Sequence, residues 1–310
     1  MSANNRWDGL ITLRDGDTVA AIAPALGANC VAFAVDGRAV IEPVPGPDAL
    51  RAGAAPAGCP VLFPFPGRVA QGRYTVGGRE YTLPLNVDNG RDHRHGLVTH
   101  RPWRVARRDA ASCTCVVDDA MLTPAERAGY PWPFALTLTW RVAPGRLRAD
   151  VTVENRGDEA LPFGFGLHPY LAAPPDAVVR VPAASAWPLA AGMMAGDRQP
   201  AGGPWPWAAL AEAASLLLTD LPPGTVEATA GATAIRFPGD RFGEVVVYRP
   251  PARPAVCVEP WTSVAGAANL LPPGAPHGLL LLPPGATWDA WVELALAPLG
   301  SPPTSGGGPA

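Results

Sequence analysis

FALTLTWRVAPGRLRADVTVEN, residues 134–155, decides the fold. Leu136, Leu138, Trp140 and Val142 alternate with threonine and arginine, and beyond Gly145 the same happens from Leu147 to Glu154. A period of two places the apolar set on one face of a β-strand, and the glycine between the runs marks a turn.

The signal recurs in both directions. RYTVGGREYTL (73–83) is a shorter hairpin around Gly77-Gly78, and NCVAFAV (29–35) passes through Asp36-Gly37 into RAVIE (38–42). Asp-Gly and Gly-Gly pairs are turn formers because both tolerate positive φ. GLITL (9–13), TVAAIA (18–23) and GLLLLPPGATWDAWVELALAP (278–298) add further strands, the last two around a Pro-Pro-Gly turn. Helical signals are few. LTPAERAGY (122–130) predicts about two turns, with Thr123 as cap, Pro124 first in the helix, Glu126 closing a capping box and Gly129 ending it. WAALAEAAS (207–215) is the other candidate. Many short strands with turn residues between them predict an all-β sandwich or barrel. No internal repeat and no linker composition occurs before residue 300, which predicts one domain over 1–300. SPPTSGGGPA, 301–310, has the composition of a disordered tail.

Composition excludes several classes. Of 310 residues 48% are hydrophobic and 16% charged, and the net charge of −3 provides no basic field for nucleic acid or a membrane surface. There is no lysine, which removes Schiff-base and lysine-nucleophile chemistry. No signal peptide or membrane-length apolar run is present. Five cysteines (30, 59, 113, 115, 257) are an odd number without a disulfide framework, as expected of buried thiols in a reducing cytoplasm. Cys113 and Cys115 alternate onto one face of a strand.

Titratable groups in apolar settings are scarce. FGFGLHPYL (163–171) isolates His168: it is either a satisfied core histidine or an acid/base group held at the floor of a pocket. NGRDHRHGLVTH (89–100) crowds His93, His95 and His100. An H-x-H pair can ligate a metal, but no carboxylate lies at the spacing such sites use, so no metal is expected. His95 precedes a glycine, a turn that presents an imidazole from a strand end. In CPVLFPFPGRV (59–69) prolines fix the loop ending in Arg68, which either forks onto a hydroxylated ligand or pairs with a core-edge carboxylate. In AVCVEPWT (255–262) Glu259 ends an apolar run before a proline expected to end the ladder. A carboxylate there is either exposed at a strand end or buried, with its pKa raised toward proton-transfer range.

Taken together, PVLFPFPGRV, YTVGGREYTLPLN, HG at His95, YPWPFALTLTWRV, GLHPYL, VCVEPWT and LLPPGATW occur in an order that resembles the aldose 1-epimerase (galactose mutarotase-like) family over most of the chain. The resemblance implies a β-supersandwich of two large, mostly antiparallel sheets with few short helices and a cleft across one of them. It implies cofactor-free interconversion of the α and β anomers of a sugar, by a monomer or homodimer. Glu259 would take the proton of the anomeric hydroxyl and His168 would protonate the ring oxygen; Arg68 and His95 would hold the sugar. Asn269 matches a family position near the cleft. Family members often carry an Asp-Asp pair where EAASLLLTDL has Ser215 and Leu216, which leaves Asp220 as a displaced substitute. DHRHGL also departs from the galactose-type pattern around the first histidine. Arg91, Arg94 and Arg101 around His95 keep a hexose-6-phosphate 1-epimerase open as an alternative, and a non-catalytic sugar-binding or regulatory protein is the other. A glycosidase would need a second facing carboxylate.

Overall fold

A computed structural model describes residues 7, 9–53, 56–86 and 90–296. The expected tail at 301–310 and the last residues of the expected domain lie outside them. The stretch 134–155 forms two strands, Phe134–Ala143 and Arg146–Asn155, in register from Phe134 opposite Asn155 to Ala143 opposite Arg146. Pro144 and Gly145 make the turn, and Gly145 has φ +74°, the left-handed corner that such a turn requires. Leu136, Leu138, Trp140 and Val142 of one strand and Leu147, Ala149, Val151 and Val153 of the other are all buried.

This hairpin sits inside a nine-stranded antiparallel sheet. Its order is 104–108, 112–118, 134–143, 146–155, 287–296, 233–238, 225–230, 178–180 and 205–206. A second, twelve-stranded sheet runs 11–15, 18–23, 29–35, 38–41, 170–172, 255–261, 244–248, 215–219, 185–187 and 199–200, with the short strands 61–62 and 166–167 attached. The expected sandwich of two large antiparallel sheets is the observed architecture. Apolar side chains from both sheets form one continuous core, in which Phe163, Phe165 and Phe242 ring Trp288. Trp140 crosses that core: its indole N–H donates to the Ala28 carbonyl, beside the opposite sheet, at 2.8 Å.

The predicted turns are present, with Asp36-Gly37 and Gly77-Gly78 at positive φ between paired strands. The helix Pro124–Gly129 carries the full capping box, Thr123 and Glu126 each accepting the other's backbone N–H. Two expectations are corrected. WAALAEAAS gives only a 3-10 turn, Trp207–Ala209. The guanidinium of Arg249 lies 3.9 Å over the Trp207 ring and donates to the carbonyls of Trp207, Ala208 and Leu210, oxygens that a continuing helix would use. Nor does Pro260 end its strand, which continues to Trp261. The Thr262 N–H donates to Phe165, so even-numbered N–H groups here face the 166–172 side. On that side pairing stops at Cys257 and resumes at Trp261, and the missing N–H of Pro260 falls in the gap.

Trp140→Ala should lower unfolding free energy by about 3–5 kcal/mol through the cavity it leaves. The check is urea denaturation, with the midpoint shifted and the slope unchanged.

Candidate active site

Strand Ala255–Trp261 is buried along its whole length, near the middle of the larger sheet. Val256 and Val258 join the core between the sheets, and alternation turns Cys257, Glu259 and Trp261 to the other face. There a cleft of about 820 Å³ is lined by Glu259, Trp261, His168, His95, Arg68 and Arg94, among others. His168 occupies the gap between strands 166–167 and 170–172, where its N–H is held by the Pro60 carbonyl at 3.0 Å. Its ring stacks on Tyr170 with centroids 4.8 Å apart and planes 7° off parallel. His168 Nε2 lies 3.4 Å from Glu259 Oε1, and the other carboxylate oxygen accepts the Trp261 indole N–H at 3.1 Å.

The loop carrying His95 is set by close backbone approaches. His95 has φ +62° and Gly96 φ +75°. A Cβ on Gly96 would lie 2.0 Å from the Phe63 carbonyl oxygen, so only glycine fits. The His95 N–H donates to the Gly67 carbonyl, and the Gly67 N–H donates back to His95 Nδ1 at 3.3 Å. Because Nδ1 accepts, the neutral ring carries its proton on Nε2 and is a hydrogen-bond donor there. Burial, with Arg94 adding to it, holds the His95 pKa well below the ordinary histidine value, so the ring stays neutral. His93, two residues earlier, turns the other way. Its ring nitrogens face the carbonyls of Pro84 and Gly96 at 2.7 and 3.0 Å, which makes it a brace for the loop and separates the H-x-H pair.

Arg68 and Arg94 are cross-strand partners at the rim. Both readings of Arg68 hold at once: it pairs with Asp92 at 3.0 Å and lines the cleft. A Cβ on Gly192 would come 2.6 Å from Arg68 Nε, so the hairpin Leu189–Met194 lies directly on that guanidinium. Arg94 Nε is buried without a hydrogen-bond partner.

Burial sets the electrostatics of the cleft floor. Desolvation pushes the Glu259 carboxyl well above the usual carboxylate range, and desolvation together with Arg94 lowers His168 to about 3. Both shifts favour the uncharged forms, a protonated Glu259 and a neutral His168.

The family model described as aldose 1-epimerase matches residues 9–198. The chain belongs to the aldose 1-epimerase family. Among curated proteins it is 37% identical, over 112 residues, to the uncharacterized protein YihR of Escherichia coli K12, a match covering 36% of this chain and 35% of that one. Thus the match spans about a third of that relative's length. Among solved structures, Slr1438 of Synechocystis sp. PCC 6803 superposes with TM-score 0.78 at 19% identity, covering 96% of this chain and 98% of its own. A galactose mutarotase-like protein of Clostridium acetobutylicum gives 0.79 at 19%, covering 92% and 94%. These two likenesses establish the fold.

Glu259, His168, His95 and Arg68 line the same cleft. Asn269 and Asp220 do not. Asn269 is exposed, and its amide is fully used by backbone: Oδ1 accepts the Ala70 N–H at 2.8 Å and Nδ2 donates to Arg73 at 2.7 Å. Asp220 pairs with Arg198 at 2.6 Å on the surface, away from the cleft lining. Ser215 does line the cleft. Of the arginines around His95, Arg94 faces in, while Arg101 is committed to the Met121 carbonyl and Glu126. Trp103 is core, its indole bonded to the Val98 carbonyl at 3.2 Å. Sequence reasoning passed over Tyr248 and Arg253 at the cleft. Tyr248 was findable, since it alternates with Val246 on the strand beside Glu259. Arg253 had no local signal; it reaches the cleft by lying over the Tyr170 ring and pairing with Glu42.

Asn269→Ala should cost about 1–3 kcal/mol through its two lost backbone bonds. Sugar affinity should be unchanged within twofold, measured by calorimetry on the folded variant.

Proposed function

We propose that this chain catalyses mutarotation of a free aldose by general acid/base ring opening. The observation that carries the proposal is the 3.4 Å approach of His168 Nε2 to Glu259 Oε1 at the cleft floor. Two proton carriers in contact can serve two oxygens of one hemiacetal carbon. When the anomeric hydroxyl donates to Glu259 it favours the carboxylate, and the proton resting there passes to His168. His168 then protonates the ring oxygen as Glu259 removes the hydroxyl proton, and the C1–ring oxygen bond breaks to give the open aldehyde. Rotation about C1–C2 and reclosure, with both transfers reversed, yields the other anomer. Neutral His95, donating from Nε2, and the guanidinium of Arg68 hold the sugar hydroxyls. The two proton carriers leave no residue of this step needing a cofactor. Five buried free cysteines suit a reducing cytoplasm. Among the described residues no helix is long and apolar enough to cross a membrane.

A specific observation favours a second reading, a hexose 6-phosphate as substrate. Arg94 lines the cleft as the cross-strand partner of Arg68, and a guanidinium fork suits a phosphate.

Polarimetry or NMR on freshly dissolved α-anomers of glucose, galactose and their 6-phosphates tests both. The wild type should speed equilibration. Glu259→Gln and His168→Asn should each lose about 10²–10⁴-fold while remaining folded. A wild type inert on every aldose would favour a binding protein instead. Arg94→Gln should raise KM at least tenfold for the phosphate ester but not for the free sugar if the phosphate is the substrate. The pH profile separates the shared proton from an isolated histidine acid. A lone histidine would lose activity as pH rises through about 6.5. With desolvation raising the Glu259 carboxyl, activity should fall as pH rises through that raised value rather than through the ordinary histidine value.

A further inference from the structure

We propose that Cys257, Glu259 and His168 form a binding site for a borderline-soft divalent cation, zinc above all, and that the ion inhibits by occupying both proton carriers. The site stands on geometry alone; only the inhibition rests on the mutarotase reading. One donor atom from each of the three residues lies within 4.8 Å of the other two. All three side chains are buried. Cys257 and Glu259 share a face of one strand by alternation. Tyr170 and Tyr248, the cross-strand neighbours of Cys257 on either side, both line the cleft, which places the thiol beneath its aromatic floor.

The donor set is one sulfur, one imidazole nitrogen and one carboxylate oxygen. Three protein donors with a fourth position open to a cavity is the arrangement of accessible zinc sites. Bonds of about 2.0–2.3 Å put tetrahedral donors roughly 3.3–3.8 Å apart, so the three must draw in by about 1 Å. A thiol and an imidazole favour zinc over magnesium and calcium, which want oxygen alone. Cys257 binds as thiolate and Glu259 as carboxylate, each releasing the proton it carries when uncharged, and both electron pairs go to the metal. Thiolate, carboxylate and dication then sum to zero charge. A neutral complex can be buried, and it lets a dication sit in a cleft rimmed by Arg94 and Arg68. Bound zinc takes the lone pairs through which Glu259 and His168 exchange protons, so inhibition should be competitive with sugar and stronger at higher pH.

The full chain, stripped with chelator, is titrated with zinc by calorimetry in buffers of different ionisation enthalpy, and with cobalt(II) by absorption. One ion per chain, proton release and a thiolate-to-cobalt charge-transfer band are expected. Cys257→Ala and Cys257→Ser should lose the band and bind zinc at least tenfold more weakly. They should keep wild-type mutarotation in chelator and need at least tenfold more zinc for half inhibition. Cys113→Ala, which alters the thiol pair on the other sheet, should change nothing. Absence of stoichiometric binding, or a band that survives loss of Cys257 and disappears with Cys113, overturns the site. Zinc bound through Cys257 to an active enzyme without slowing it overturns the inhibition. A chain that binds zinc through Cys257 but is inert on every aldose supports the site and refutes only the mutarotase reading.

Discussion

A carboxyl group held on a middle strand, almost wholly shielded from solvent, is the constraint around which this molecule is arranged. Glu259 is 1% exposed, and its neighbours offer one indole N–H and one imidazole. An isolated carboxylate there would be prohibitively costly, so the group takes a proton or finds a counter-charge. His168 is buried to the same degree and under the same pressure toward neutrality. Two desolvated groups in contact can thus exchange a proton between them. That is the property an acid/base pair needs when each partner must act in both directions.

Such a pair is useful only if its surroundings do not drift. The cleft is fixed less by side-chain packing than by backbone pressed against backbone. Gly96 rests on the Phe63 carbonyl, and Gly67 and His95 exchange two hydrogen bonds. His93, wedged between two carbonyls, braces the same loop from behind. A second carboxyl–imidazole pair braces the fold further along: His277 Nδ1 lies 2.6 Å from the buried carboxyl of Glu244, which also accepts from Thr219, and this pins the segment after Trp261 to the sheet. Val264 donates to the His277 carbonyl, so the pin reaches the loop beside the cleft.

The positive charge around the pair is notable for how it is distributed. Arg68 and Arg253 each have a carboxylate partner, Asp92 and Glu42, outside the Glu259–His168 pair. Arg94 has an unpartnered Nε and lowers the pKa of both His95 and His168. It also draws the Glu259 carboxyl back toward ionisation. One guanidinium thus adds to the desolvation that disfavours charge on the imidazoles, and opposes the desolvation that raises the carboxyl.

The sequence by itself determined the sheets, their turns and the residues able to transfer protons. Alternation over 134–155 reads directly as a buried and a less buried face, because a strand's period of two is a local property of the backbone. Asp36-Gly37 and Gly77-Gly78 are equally local, and so is the capping box at Thr123 and Glu126. The tertiary structure decided what long-range neighbours decide. Pro260 stays in its strand because of a gap in a ladder partner ninety residues earlier in the chain. WAALAEAAS gives up helix to the guanidinium of Arg249. Asn269 and Asp220 have side chains suited to a sugar, yet backbone amides and Arg198 claim them first. Which member of the Glu259–His168 pair holds the proton was likewise invisible in the sequence. Charge preference depends on desolvation and on Arg94, and both exist only once distant segments have closed over the same cleft.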